Sequence, residues 1–275
     1  MLLSNIEYIL LRLIRRFVFP NDFLIKYGAY IPYYRVNLNQ FNPSTIVGDY
    51  NKYLQVADID PTNLISILEI GVGATNSSGY EMAFQGFAKK GEIIMFEPYA
   101  AFNQSLDNKI YTDNAYPDAV RDRFKRLKKL SDIESNSIDL ILSNSVLEHV
   151  DVDDFSALIY NLNRVLKPEA CMLHIVDYKD HFFKYPYHFL QFSNAVWNRY
   201  LNPGDFPRWR LNDHLNLLAS ANLSVEILDS EIDNLSYAKI ESSIHPMFDS
   251  KNHDTKVTRA VLLVRKSKIT CMATK

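Results

Sequence analysis

The sequence predicts an α/β fold built on a mostly parallel sheet, and three observations carry that prediction. An apolar run, Ile65 to Ile70, is broken only by Ser66 and Glu69 and leads straight into Gly71-Val72-Gly73. It has the length and β-branched content of a strand buried on both faces. A second apolar run, Glu92 to Phe96, ends at Glu97-Pro98. A third, opened by Asp139 and closed by Asn144, is followed by helical spacing over Phe155–Leu166 and a further apolar run over Ala170–Val176. Strands alternating with helices are the pattern of βαβ units. The chain of 275 residues is long enough for one sizeable α/β domain plus an extension. The division read from the sequence is an N-terminal helix and cover over 1–60, then the main domain over 61–270. An inserted lid is expected at about 178–210.

The first stretch, Met1 to Phe19, is amphipathic at helical spacing. Leu3, Ile6, Leu10, Leu13, Ile14 and Phe17 share one side, while Asn5, Arg12, Arg15 and Arg16 lie largely elsewhere. Pro20 and Asn21 end it. Its positive charge follows the apolar part, unlike a secretory signal. It is too short and too charged to span a bilayer, which needs about 20 apolar residues. One reading packs this helix on the domain or on a partner subunit, and it is the preferred one. The other lays it in a membrane interface, its arginines meeting anionic lipid. Residues 21–61 are rich in Tyr, Asn and Pro and read as a cover over a pocket, with a helix from Ser44 to Leu54 capped at Ser44.

The glycine loop is the first functional signal. Glycine lets the chain turn sharply and lets a ligand approach the backbone. Glu69 and the loop fall at the carboxyl end of a strand, where open parallel sheets bind ligands. A dinucleotide fingerprint would place a third glycine at position 76, which is Asn. After the loop, a helix is expected over Ser78–Lys89, broken by Gly91. Glu97, at the end of the next strand, is placed to accept two ribose hydroxyls. Residues 99–137 are less regular. Lys109–Thr112 reads as a short strand, which makes Asp113 the candidate adenine contact, and Asp118–Leu130 reads as a helix. The basic run Arg121–Lys129 is taken as that helix's solvated face.

Composition removes several function classes. The net charge of −2 gives no basic field for nucleic acid. Cys171 and Cys271 make neither a disulfide framework nor a metal-ligand spacing, so a reducing cytoplasm is the default compartment.

The chain resembles the class I S-adenosylmethionine-dependent methyltransferases. The residues that carry the resemblance are Leu68-Glu69-Ile70-Gly71-Val72-Gly73, Met95-Phe96-Glu97-Pro98 and Ser137-Ile138-Asp139-Leu140-Ile141. Val146-Leu147-Glu148-His149-Val150 and Asn163-Arg164-Val165-Leu166-Lys167-Pro168 follow in the family's order and spacing. The resemblance implies a Rossmann-like seven-stranded sheet with helices on both faces and the last strand antiparallel. Ser224–Leu228 and Arg259–Arg265 are its final pair. It implies S-adenosylmethionine as cofactor. Glu69, Gly71 and Gly73 would hold the methionine part, Glu97 the ribose, and Asn144-Ser145 would border the methyl group. Thr75 stands where the family often has glycine. Some quinone-pathway members place an acid three residues before the Glu of the Glu-His pair, in what looks like a metal site. Here that residue is Ser145, so no metal is predicted.

Beyond the fifth strand come Asp177, Asp180 and His181, then Tyr187-His188, Trp197 and Arg208-Trp209-Arg210. An imidazole oriented by a carboxylate is what deprotonation of a hydroxyl needs. His181, oriented by Asp177 or Asp180, is the candidate base, and His149 is the second. The competing reading makes this stretch an insertion with its own small core, held by Asp–Lys and Asp–Arg pairs. The pattern resembles methyltransferases of bacterial surface-glycan synthesis. The expected activity is methyl transfer to a small-molecule or glycan acceptor, with oxygen the favoured atom. Two alternatives stay open: a catalytically silent binding partner in a glycan or membrane pathway, and an NAD-dependent sugar oxidoreductase.

Overall fold

The computed structural model describes residues 3–18, 42–180, 185–202 and 206–267. In order, the main elements are α1 (Leu3–Phe17), α2 (Pro43–Val56), β1 (Ser66–Ile70), α3 (Ser77–Phe84), β2 (Glu92–Phe96) and α4 (Gln104–Asp113). Then come β3 (Phe124–Leu127), β4 (Ile138–Asn144), α5 (Val152–Val165), β5 (Leu166–Asp177) and α6 (Leu211–Ser220). β6 (Leu223–Ile232), α7 (Asn234–Ala238), α8 (His253–Lys256) and β7 (Val257–Lys266) complete it.

Seven strands form one sheet in the order β3-β2-β1-β4-β5-β7-β6. The first five run parallel, and β7 is antiparallel to both β5 and β6. The strand period of two sends alternate residues to opposite faces. On one face Leu68, Ile70, Ile141, Met172 and Val176 pack under α5 and α6. On the other, Ile67, Met95, Leu142 and Leu173 pack under α2, α3 and α4. Asp139 fastens the edge of this core: its carboxylate accepts the backbone N–H of Ser66 at 3.0 Å and pairs with Lys167 at 2.6 Å.

Several local expectations change. Residues 109–112 belong to helix α4 instead of a strand, because Tyr111 buries on Tyr80 as one face of an amphipathic turn. The basic run is no helix face: residues 118–123 form a 3₁₀ turn and 124–127 form edge strand β3. The cap of α2 is Asn42, whose side chain accepts the Ser44 N–H at 3.0 Å. β5 starts at Leu166, directly off α5, but its pairing with β4 jumps from Leu166 to Cys171, so residues 167–170 bulge from the sheet where the chain was expected to leave the helix.

The lid region has a small core of its own. Tyr185, Tyr187, Phe189, Trp197 and Phe206 bury together with Tyr8 of α1 and Tyr237 of α7. Two buried arginines brace it, Arg208 within the lid and Arg210 toward the sheet. Arg208 donates to the carbonyls of Phe189 and Phe192 at 2.8 and 2.7 Å. Arg210 donates to the carbonyls of Tyr178 and Thr255 at 2.7 and 3.0 Å.

Helix α1 docks on this core through Tyr8 and Arg12, with Ile9, Leu11 and Leu13 packed beside them. Tyr8 is fully buried and Arg12 is 5 % exposed, and both bond the buried carboxylate of Asp180. The Arg12 guanidinium also lies over Trp197 at 5.1 Å. Leu10 and Phe17, on the stripe expected to be buried, are 54 % and 64 % exposed. The packing reading therefore holds for the helix as a body, rotated so that much of that stripe faces outward. Among the described residues, no helix is long and apolar enough to cross a membrane.

Candidate active site

The carboxyl ends of β1, β2, β4 and β5 bring the sequence motifs to one edge of the sheet. Gly71 and Gly73 both adopt positive φ, +74° and +64°, where L side chains are strained. A Cβ on Gly71 would meet a Val146 methyl at 2.3 Å, so the glycine lets the loop after β4 close on the loop after β1. A Cβ on Gly73 would meet nothing within 4 Å. Open space beside a bare backbone is what a ligand-approach position requires. Thr75 is buried and is not among the positive-φ residues, so the loop holds its shape without a third glycine.

Glu97 is the hinge between the first two strands. Its Oε2 accepts the N–H of Gly73 at 2.9 Å, and its Oε1 accepts those of Tyr99 and Ala100, both at 2.9 Å. A carboxylate offers about four lone-pair positions. Oε2, with one donor, keeps acceptor capacity beside the open space at Gly73.

Glu69 does not present itself at this edge. It is buried toward α2 and α3, accepting hydrogen bonds from Tyr50 at 3.0 Å and Ser78 at 2.6 Å. Burial pushes its carboxyl up to about 7, opposed by those two hydrogen bonds. Its place is beneath the loop, where it anchors the two helices that flank it. Asp113 lies exposed at the end of α4, and the strand that made it an adenine candidate does not form.

Arg126 is a loop-holding residue that sequence reasoning passed over. From β3 it donates to the carbonyls of Gly73 and Thr75 and to the Asn76 side chain, the last two at 3.0 and 3.2 Å. Asp107 supports the same loop, accepting the Asn76 N–H and the Tyr80 hydroxyl, both at 2.6 Å. The only signal for Arg126 was its basic run, and the run was assigned to a helix.

At the β4–β5 edge, Ser145 has φ +55° and donates its N–H to the Ile175 carbonyl at 2.9 Å. Asn144 is half-buried and Ser145 is exposed beside it. Asp177 ends β5; its carboxylate accepts the Lys179 N–H at 2.9 Å and pairs with the Lys179 amine at 3.6 Å. His149 is exposed, edge-on to Phe206 of the lid at 5.7 Å. His181 lies outside the described residues. Its expected orienter Asp180 is turned to Arg12 and Tyr8. Glu148, weighed only for a metal, is fully enclosed, and neither carboxyl oxygen has a hydrogen-bond partner among the described residues. Burial holds its carboxyl well above the usual range, with the Asp177 charge adding to the effect. Burial near Asp177 thus favours the protonated form of Glu148. Among the described residues, no group of three His, Cys, Asp or Glu is placed to hold a metal ion.

A cavity of about 340 Å³ opens in the lid, walled by Tyr185, Tyr187 and His188 with Ser236 and Lys239 at its polar side. Tyr187 donates its hydroxyl to the Lys256 carbonyl at 2.6 Å, which holds this wall at the start of β7.

Comparison with known proteins agrees with this geometry. A family profile described as a methyltransferase domain matches residues 68–173, from β1 through β5. No curated protein matches the sequence. Among solved structures, phosphoethanolamine N-methyltransferase 2 of Haemonchus contortus, in complex with S-adenosyl-L-methionine, superposes with a TM-score of 0.51 at 14% identity. The match covers 93% of this chain and 59% of that one, so the chain spans under two thirds of that protein's length. The YcgJ protein of Bacillus subtilis matches at TM-score 0.49 and 14% identity, over 80% of this chain and 99% of its own. The 1,6-didemethyltoxoflavin-N1-methyltransferase of Burkholderia thailandensis matches at 0.48 and 14%, over 97% and 92%.

Proposed function

We propose that this protein, whose residues 68–173 match a methyltransferase-domain profile, transfers a methyl group from S-adenosylmethionine to a small-molecule or glycan acceptor, at oxygen. The single observation that carries the reading is Glu97: a carboxylate bonded to Gly73 N–H, with acceptor capacity left over, beside open space at the carboxyl edge of a parallel sheet. The donor set suits a nucleoside with a cationic centre. S-adenosylmethionine supplies an electrophilic methyl on a sulfonium. Glu97 accepts the ribose hydroxyls, and the backbone at Gly71 and Gly73 receives the amino-acid end. Asn144 and Ser145 border the transferred group, held there by the Ser145–Ile175 hydrogen bond.

In-line displacement asks the protein for alignment and removal of the acceptor proton. Asp177 and His149 both sit at the β4–β5 edge and are the described candidates for that proton, with His181 the third. His174 and His214 are excluded as bases by burial, which pulls them down to about 4 and about 3. The aromatic walls of the lid cavity, with Ser236 and Lys239, suit a polar ring such as a sugar.

Calorimetric titration tests the cofactor. We expect S-adenosylmethionine to bind in the micromolar range, and Glu97→Ala to weaken it about tenfold or more, the worth of a charge-assisted hydrogen bond. Binding of NAD in its place would move the protein to the oxidoreductases. Failure to bind either would leave a silent partner as the reading.

A further inference from the structure

Helix α1 carries its apolar stripe on the outside. Ile6, Leu10, Ile14, Phe17 and Val18 are all exposed large hydrophobics. They fall on one side of a 15-residue helix whose length is about 22 Å. The opposite side is committed to the protein through Tyr8, Arg12 and the Asp180 carboxylate, and Arg16 donates to the Asn202 carbonyl. The helix thus cannot roll to bury its stripe without breaking a buried ion pair.

We propose that this face is a lipid-docking surface, with α1 lying in the plane of an anionic membrane interface. Three features favour lipid over a second copy of the chain. The stripe offers roughly 400–650 Å² of surface, taking about 150–250 Å² for a fully exposed large side chain. A stable protein interface buries about 800 Å² on each partner. The exposed side chains of the described helix are all apolar, as an acyl boundary requires, and the one acid beside them, Glu7, is half-buried and accepts the Tyr185 hydroxyl. Cations stand in the last turn: Arg15 is half-buried, and Arg16 reaches the Asn202 carbonyl. Exposed Arg199 sits on Trp197–Leu201, the segment that α1 packs against, next to exposed Val196 and Tyr200. Because α1 also grips the lid through Asp180 and Trp197, docking would seat the lid at the lipid surface.

The test is sedimentation of the full chain with vesicles of phosphatidylcholine and phosphatidylglycerol, beside the double variant Leu10→Glu/Ile14→Glu. Both positions are exposed, so the variant's melting temperature and S-adenosylmethionine affinity are expected to match wild type. Wild type sedimenting with the vesicles, and the variant about tenfold weaker, supports the proposal. Wild type staying in the supernatant overturns it, as does vesicle binding that the substitutions leave unchanged. A dimer that the substitutions dissolve, without vesicle binding, overturns it in favour of a second copy. A fall in the variant's melting temperature overturns it in favour of a cover from this chain itself.

Discussion

The glycine at position 71 does two separable things. Its positive φ costs an L-residue about 1–2 kcal/mol. The missing Cβ makes room for the Val146 methyl groups. Gly71→Ala is therefore expected to lose about 2–4 kcal/mol of stability, from strain plus overpacking. Adding Val146→Ala removes both methyl groups that the new Cβ meets first, and recovers the packing share only. Urea denaturation of both variants checks this. Full recovery in the double variant would mean that φ carries no cost here, and no recovery that Val146 moves aside freely. The glycine was legible in the sequence; its partner 75 positions on was not, because nothing local to Val146 marks it as the residue that crosses the loop.

At the scale of elements, a buried ion pair sits at the joint between α1 and the lid. The side chains of Arg12 and Asp180 are 6% and 0% exposed, and they lie 168 positions apart in sequence. Removing one partner from such a pair leaves a buried charge uncompensated, at about 3–5 kcal/mol. Arg12→Met is expected to lose that much and to open the lid to proteolysis. Arg12→Met/Asp180→Asn is expected to regain most of it, since the stranded charge is gone. Limited proteolysis with denaturation of both variants decides: equal damage in the two would show that Arg12 acts through its stacking on Trp197 instead. The amphipathic spacing of residues 3–17 foretold the helix but not how far it is rotated: Leu13 of the stripe packs on the lid core, while Ile6, Leu10, Ile14 and Phe17 stay exposed. The rotation is set by the buried Asp180 carboxylate, which draws Tyr8 and Arg12 inward.

For the whole molecule, buried histidines and buried carboxyls shape the pH dependence of stability, and their signs oppose. His174 and His214 are held neutral by burial, at about 4 and about 3 against an ordinary 6.5. The unfolded chain then binds their protons first, and stability is lost as pH falls from 6.5 toward 4. Glu69 goes the other way. Its carboxyl is raised to about 7 from 4.5, so the folded state holds the proton longer and stability declines as pH rises from 4.5 to 7. His188, pulled down to about 4, acts with these two histidines, and Glu148, held above the usual range by burial, acts with Glu69. Three histidines against two carboxyls leave a net rise of stability with pH between 4.5 and 6.5. The carboxyls then give a decline above 6.5. Glu69→Gln is expected to reduce that decline and to steepen the acid limb. Urea midpoints measured from pH 5 to 8 test it; a variant curve parallel to wild type would sink the assignment to Glu69.

The sequence by itself determined the strand order's raw material. Apolar runs of strand length, the glycine loop, the acid at the end of β2 and the strand opened by Asp139 are local patterns. A period of two or 3.6 and a missing Cβ act within a few residues, so they can be read without neighbours. It did less well where propensity was weak: residues 109–130 split between helix, turn and an edge strand by what Tyr111 and Arg126 found to touch. The tertiary structure alone decided which side chains face the site. It turned Glu69 inward to Tyr50 and Ser78, drew Arg126 onto the loop, gave Asp180 to Arg12, and enclosed Glu148 near Asp177. Each of these is a contact between residues far apart in sequence, set by register and burial. No local pattern encodes the distance between two charges, and that distance is what separates a ligand-holding carboxylate from a structural one.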